Sequence, residues 1–146
     1  MAVTEAACAA TAPIGATVWR RAFAGTRESA HEARAFVGFL LVSFPRRDDV
    51  VQAAGELIAN AVTHTRSGAA GGIYIVEVRR WRGGVALAVV DQGGPGEPRA
   101  VDGELREGGY GLMTVRALAS WWGWRGGEHS RTVSAIFGRR QSWPSS

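Results

Sequence analysis

The first strong periodicity in the chain follows Ser29. Ala33, Phe36, Val37, Leu40, Leu41 and Phe44 recur at helical spacing up to Pro45, which cannot continue a helix. Ser29-x-x-Glu32 at the start of this run reads as a capping box. A second helix is predicted from Asp48 or Asp49, acidic residues that suit a helix N-terminus. Val50, Ala54, Leu57, Ile58 and Ala61 form its apolar stripe. At about 100° per residue they occupy an arc of about 100°, and Glu56 and Asn60 fall roughly 90–160° from its centre. Glu56, Asn60 and His64 follow one another at i, i+4 spacing. This polar stripe therefore runs beside the core face, where a helix leaves the core and can border a cleft.

Elsewhere the period is two. "ATVWRRAFAG" (16–25) alternates and suits an edge strand. "IYIVEVRRW" (73–81) alternates and "GVALAVVDQ" (84–92) is nearly continuous in apolar residues, with Arg82-Gly83-Gly84 joining them as a hairpin. The polar segment 93–109, rich in Gly and Pro, has no regular pattern, and a loop of that length inside a domain is often functional. "YGLMTVRALASWW" predicts a third helix carrying Leu112, Val115, Ala119 and Trp122. A last hairpin pairs "WWGWR" with "RTVSAIFGRR" across "GGEHS". The three Trp residues 121, 122 and 124 are expected to pack in the core and at the sheet edge. Residues 1–15 and 139–146 read as tails around one domain, 16–138. The expected class is α+β: a two-layer sandwich with helices on one face of a mixed, mostly antiparallel sheet.

Composition agrees with a single folded domain: 146 residues, 46% hydrophobic and 21% charged. No apolar run reaches the length of a membrane span. The N-terminus lacks a basic segment and carries Glu5, so it makes a poor signal peptide. With Cys8 alone no internal disulfide can form, and a cytoplasmic setting is expected. The net charge of +4 raises the question of nucleic acid. The basic residues number 17, all Arg, and are scattered in short pairs such as Arg20-Arg21 and Arg139-Arg140. That is compositional bias rather than a phosphate-tracking surface, so neither nucleic acid nor membrane is an expected partner.

Three polar motifs remain. Glu56-x-x-x-Asn60 lies on the second helix, Asp91-x-Gly93 ends the most apolar strand, and "GGYGL" places Gly109 and Gly111 at the start of the third helix. Each is weak alone, since Asp often ends a strand as a turn former and Gly often opens a helix. In this order they resemble the N, G1 and G2 boxes of the ATP-binding domain shared by gyrase-type topoisomerases, histidine kinases and anti-sigma-factor serine kinases, the Bergerat or GHKL fold. The resemblance covers about residues 16 to 138. Within that superfamily the chain looks most like the stand-alone anti-sigma-factor kinases, through "HEARAFVGFLL", the short lid and the closing hairpin.

The resemblance implies ATP and Mg²⁺ as cofactors. Asn60 would supply an amide oxygen to Mg²⁺, which prefers oxygen ligands and keeps several waters. Glu56 would be the catalytic base toward the attacking hydroxyl. Asp91 would accept a hydrogen bond from the adenine amino group, and Gly93 would let the backbone pass close to the base. Gly109 and Gly111 would leave N–H groups free for phosphate at a helix N-terminus, with Leu112 completing the motif on the nucleotide side. Thr132 would contact the base region. His64 is expected to cap or hydrogen-bond rather than catalyse. The departures are Pro95 inside the second motif, Gly96 displaced from the usual second glycine, and the absence of Lys. Any phosphate cation must then be Arg; Arg106 and Arg116 are placed for it, although Arg116 is expected to face solvent. The implied function is an ATP-dependent serine/threonine kinase that phosphorylates a small antagonist (anti-anti-sigma) protein and sequesters a sigma factor. The alternative is an ATP-binding switch that captures a partner without efficient transfer; the intact Glu56 favours the kinase. The resemblance also implies a homodimer through the sheet edge and first helix.

Overall fold

A computed structural model describes residues 15–95 and 109–138. The elements run β1 (Thr17–Ala24), α1 (Ser29–Leu40), α2 (Arg47–His64), a short 3-10 turn (Arg66–Gly68), β2 (Ile73–Trp81), β3 (Gly84–Asp91), α3 (Gly109–Leu118), β4 (Trp121–Gly126) and β5 (Arg131–Gly138). The strands form one sheet in the order β1-β2-β3-β5-β4. Every pairing is antiparallel, and the predicted edge strand is indeed an edge. The three helices pack on one face, giving the two-layer α+β sandwich expected from the pattern.

Alternation in the strands decides which face the helices cover. Tyr74, Val76 and Val78 of β2, Val85, Leu87 and Val89 of β3, and Val133, Ala135 and Phe137 of β5 are all buried at every second position. The central helix, α2, lays Val50, Ala53, Ala54, Leu57, Ile58 and Ala61 over them. Each fully buried large side chain contributes about 1.5–3 kcal/mol relative to exposure. That stripe fixes the roll of α2, and with it where Glu56 and Asn60 point.

Four local expectations shift. Ser29 does not cap α1: Glu28 holds the cap position and makes no side-chain cap bond. The Ser29 hydroxyl instead donates to the Thr26 carbonyl at 2.9 Å and shares a 2.7 Å bond with the buried Tyr74 hydroxyl. A phenol under the helix layer needs a partner, and Ser29, one residue inside the helix, faces it. Burial pushes the Tyr74 pKa up, against the Ser29 bond, with Glu32 adding a little more. The first helix stops at Leu40, five residues before Pro45. There the Gly38 carbonyl takes bonds from the Leu41 N–H and the Arg47 Nε. Trp122 belongs to β4 rather than to α3, because the chain turns at Ala119–Ser120, where the Ser120 N–H donates to the Ile136 carbonyl at 2.7 Å. The strand predicted to reach Gln92 ends at Asp91.

Candidate functional site

The two ends of α2 are built differently. At its start, Arg46 donates Nε to Asp49 at 3.1 Å, Nη1 to the Gly138 carbonyl at 3.5 Å and Nη2 to the Leu118 carbonyl. Its guanidinium also lies over the Phe137 ring. The Leu118 contact sets the direction of α3, whose last residue sits beside the first turn of α2. The two helices therefore pack antiparallel. Ten residues of α3 rise about 15 Å, which from the Arg46 end reaches the level of Glu56, one turn short of Asn60. The N-terminal N–H groups of α3, from Gly109 onward, point toward the far end of α2.

At that far end the chain folds back on itself. Thr65 Oγ1 donates to the Ala61 carbonyl at 2.6 Å and accepts from the Ser67 N–H at 3.1 Å, closing the helix. Thr65 thus does the capping expected of His64, whose side chain is exposed. The buried Ser67 hydroxyl accepts from the Gln92 N–H at 2.9 Å, and the Gly93 carbonyl accepts from the Arg66 N–H at 2.8 Å. The end of β3 is thereby stitched to the end of α2.

Asp91 stands at this junction, 5% exposed. Its Oδ1 accepts the Gly93 N–H at 2.7 Å. Gly93 has φ +73°, and a Cβ there would fall 2.3 Å from the Glu128 carbonyl oxygen, so only glycine fits between β3 and the β4–β5 turn. Burial raises the Asp91 pKa, while the Gly93 N–H and the charge of Arg131 pull it back down. Arg131, also 5% exposed, is the direct cross-strand partner of Asp91 and donates Nη2 to the Gly94 carbonyl at 3.1 Å.

The proposed residues group unequally. Glu56 and Asn60 are half-buried on α2, and no hydrogen bond or ion pair engages their side chains among the described residues. Glu56 also lines an open cleft of about 450 Å³ with Asp48, Gln52 and Ala59 of α2 and Arg34 of α1. This cleft starts at the first turn of α2 and is not lined by Asn60, Asp91 or Gly93, but it leaves Glu56 reachable from outside. Asp91 and Gly93 are held at the C-terminal end of α2 by the Ser67–Gln92 and Arg66–Gly93 bonds, and the antiparallel packing of α3 directs its start, at Gly109 and Gly111, toward that half of the helix. Leu112 is 1% exposed and packs in the core with Val115. Thr132 alternates with the buried Arg131 and Val133, so β5 turns it to the face opposite Asp91, and Arg131 takes the position on the Asp91 side. Arg116 is exposed, as expected. Arg106, Gly96 and the predicted lid (94–108, apart from Gly94 and Pro95) lie outside the described residues. The three Trp residues of β4 are half-buried, with the Arg131 guanidinium 5.8 Å from the Trp124 ring centroid.

Sequence reading missed Arg131 and Arg66. An Arg heading an otherwise apolar strand was the available signal; its pairing opposite Asp91 depends on strand register, which one sequence does not reveal. Among the described residues no cluster of three His, Cys, Asp or Glu side chains could hold a metal by itself. One amide and one carboxylate beside a helix N-terminus suit a cation that shares its ligands with a bound polyphosphate and water.

This layered fold, with a buried carboxylate, a glycine turn and a helix N-terminus gathered along one half of the central helix, is that of a nucleotide-binding domain. Residues 23–137 match the histidine kinase-like ATPase domain, and the chain belongs to that family. It is therefore an ATP-binding domain. The fold is similar to the solved RsbU and RsbW domains of Rv1364c from Mycobacterium tuberculosis, with a TM-score of 0.62. Identity there is 22%, over 84% of this chain and 32% of that one, so the chain spans about a third of that protein's length. No curated protein matches the chain. Among the described residues no helix is long and apolar enough to cross a membrane.

Proposed function

We propose that this domain is an ATP- and Mg²⁺-dependent serine/threonine protein kinase acting on a small antagonist protein, and that it also sequesters a sigma factor. The observation that carries this reading is the state of Glu56. It is a half-buried carboxylate one helical turn from Asn60, reachable from the surface and engaged by no described neighbour. Its carboxylate is open to water rather than tied into the frame, so a ligand's hydroxyl can reach it. The RsbW domain in the similar structure supports the regulatory side of the reading.

Asp91 would accept from the adenine amino group and Gly93 would let the base approach. The α3 N-terminus, at Gly109 and Gly111, would face the phosphates with free N–H groups. Asn60 would supply one ligand to Mg²⁺, which, when bound, neutralises charge on the phosphates. Glu56 would take the proton from the serine or threonine hydroxyl as its oxygen bonds to the γ-phosphorus and ADP leaves. Positioning and charge neutralisation carry most of such transfers.

The absence of Lys from the chain favours a second reading, a switch that binds ATP and a partner but transfers slowly. Incubating the protein with γ-labelled ATP, Mg²⁺ and candidate antagonists separates the two. The kinase reading expects phosphoserine or phosphothreonine on one of them. Tight ATP and partner binding with no label on any candidate would instead support the switch.

A further inference from the structure

Arg46 and Arg131 are both withdrawn from water and reach main-chain carbonyls, but only Arg46 uses all three guanidinium nitrogens. Arg46 uses Nε, Nη1 and Nη2. Arg131 uses Nη2 on the Gly94 carbonyl, and its buried Nε has no hydrogen-bond partner. An unpaired charged donor in a buried place is costly, and such groups persist where something else meets them. The location is specific. Arg131 is directly opposite Asp91 in the β3–β5 ladder and faces the same side of the sheet. Its guanidinium is backed by Trp124, and it holds the carbonyl of Gly94, the residue after the Gly93 turn. The Gly93 N–H at this corner is already spent on the Asp91 carboxylate. A purine seated against Asp91 offers an amino group flanked by ring nitrogens, which are acceptors. Asp91 can receive from the amino group, but a flanking ring nitrogen needs a donor.

We propose that Arg131 is a second base-reading residue. It holds the Gly93–Gly94 turn through Nη2 and presents its Nε–H to a ring nitrogen beside the amino group, directly or through one water. The proposal rests on the nucleotide reading above and adds the residue that completes recognition of the base. It also explains why an arginine sits on the inner face of β5, between Asp91 and an aromatic ring, where the other inward positions of that strand, Val133, Ala135 and Phe137, are apolar.

The test is a binding cycle between the residue and the ring atom. Affinities for ATP, 1-deaza-ATP and 7-deaza-ATP are measured by calorimetry for the wild type, Arg131→Met and Arg131→Lys, with circular dichroism confirming that each variant is folded. The wild type should bind one of the two deaza nucleotides about tenfold to a hundredfold more weakly than ATP. Arg131→Met should lose a similar factor for ATP and lose no more for that analogue, because the donor is already gone. Arg131→Lys keeps the charge but not the rigid fork, so it should stay folded and still lose the discrimination. It serves if the Met variant does not fold. If the variants bind ATP more weakly yet discriminate both analogues as well as the wild type does, Arg131 only supports the turn and the proposal is overturned. Equal affinity of the wild type for all three nucleotides overturns it as well. A wild type that binds none of them overturns the nucleotide reading itself, a different and recognisable failure.

Discussion

The two ends of α2 differ in what their polar groups do. At the Arg46 end the cation is fully engaged, by two carbonyls, a carboxylate and an aromatic face. From the middle of the helix to its other end, Glu56 and Asn60 have no described partner, Asp91 is buried with only a glycine N–H, and Arg131 keeps an idle donor. The same helix is thus a structural post at one end and the wall of a site at the other. Among the described residues only the Arg131 Nε is buried without a partner; Glu56 and Asn60 are open to water, so a ligand can reach them.

The comparison breaks first, if it is wrong, at Glu56. Glu56→Gln keeps the volume and removes the base, so phosphoryl transfer to the true partner should fall by about 10²–10⁴ while ATP affinity holds. Single-turnover transfer by the variant at the wild-type rate would remove Glu56 from the chemistry. Next in size is Asp91→Asn. Losing a charge-assisted bond to the adenine amino group should weaken ATP by about tenfold to over a hundredfold. Unchanged affinity by calorimetry would put the base elsewhere.

The frame end should respond in stability instead. Arg46→Met leaves the Leu118 and Gly138 carbonyls without their donor and should cost about 1–3 kcal/mol, read as a lower urea midpoint. ATP affinity at low temperature, where the variant is folded, should not change; a matching loss of affinity would show that the two ends are not separable. The smallest effect concerns pH. Burial raises the Asp91 pKa from its ordinary value, against the Gly93 N–H and the Arg131 charge. Protonation removes the acceptor, so ATP affinity should fall on acidification, beginning at a higher pH than an ordinary Asp would give. Dividing by the Asp91→Asn affinity at each pH cancels the titration of the nucleotide phosphates. A ratio flat across the acidic range would contradict the assignment.

Much of this was legible in the residues. The apolar stripe from Val50 to Ala61 placed α2 and rolled Glu56 and Asn60 to its border, because helical period alone fixes that angle. The alternating "ATVWRRAFAG" suited an edge strand, and β1 is one. What stayed hidden depended on contacts distant in sequence. Ser29 looked like a cap because spacing cannot show a Tyr74 hydroxyl 45 residues away asking for a partner. Thr132 was drawn into the site through a likeness of motif, but one residue of register turns a strand side chain to the opposite face. That register placed Arg131 opposite Asp91 instead, with no local signal beyond an isolated basic residue at the head of an apolar strand.

The most direct test of the division of α2 into a frame and a site is amide hydrogen exchange with and without Mg-ATP, read by mass spectrometry. The account predicts slower exchange at Gly93 and Gly94, in the last turns of α2 from Asn60 to Thr65 and in the first turn of α3. Exchange around Arg46, Leu118 and Gly138 should not change. Protection confined to the Arg46 end, or no protection anywhere at saturating nucleotide, would contradict it.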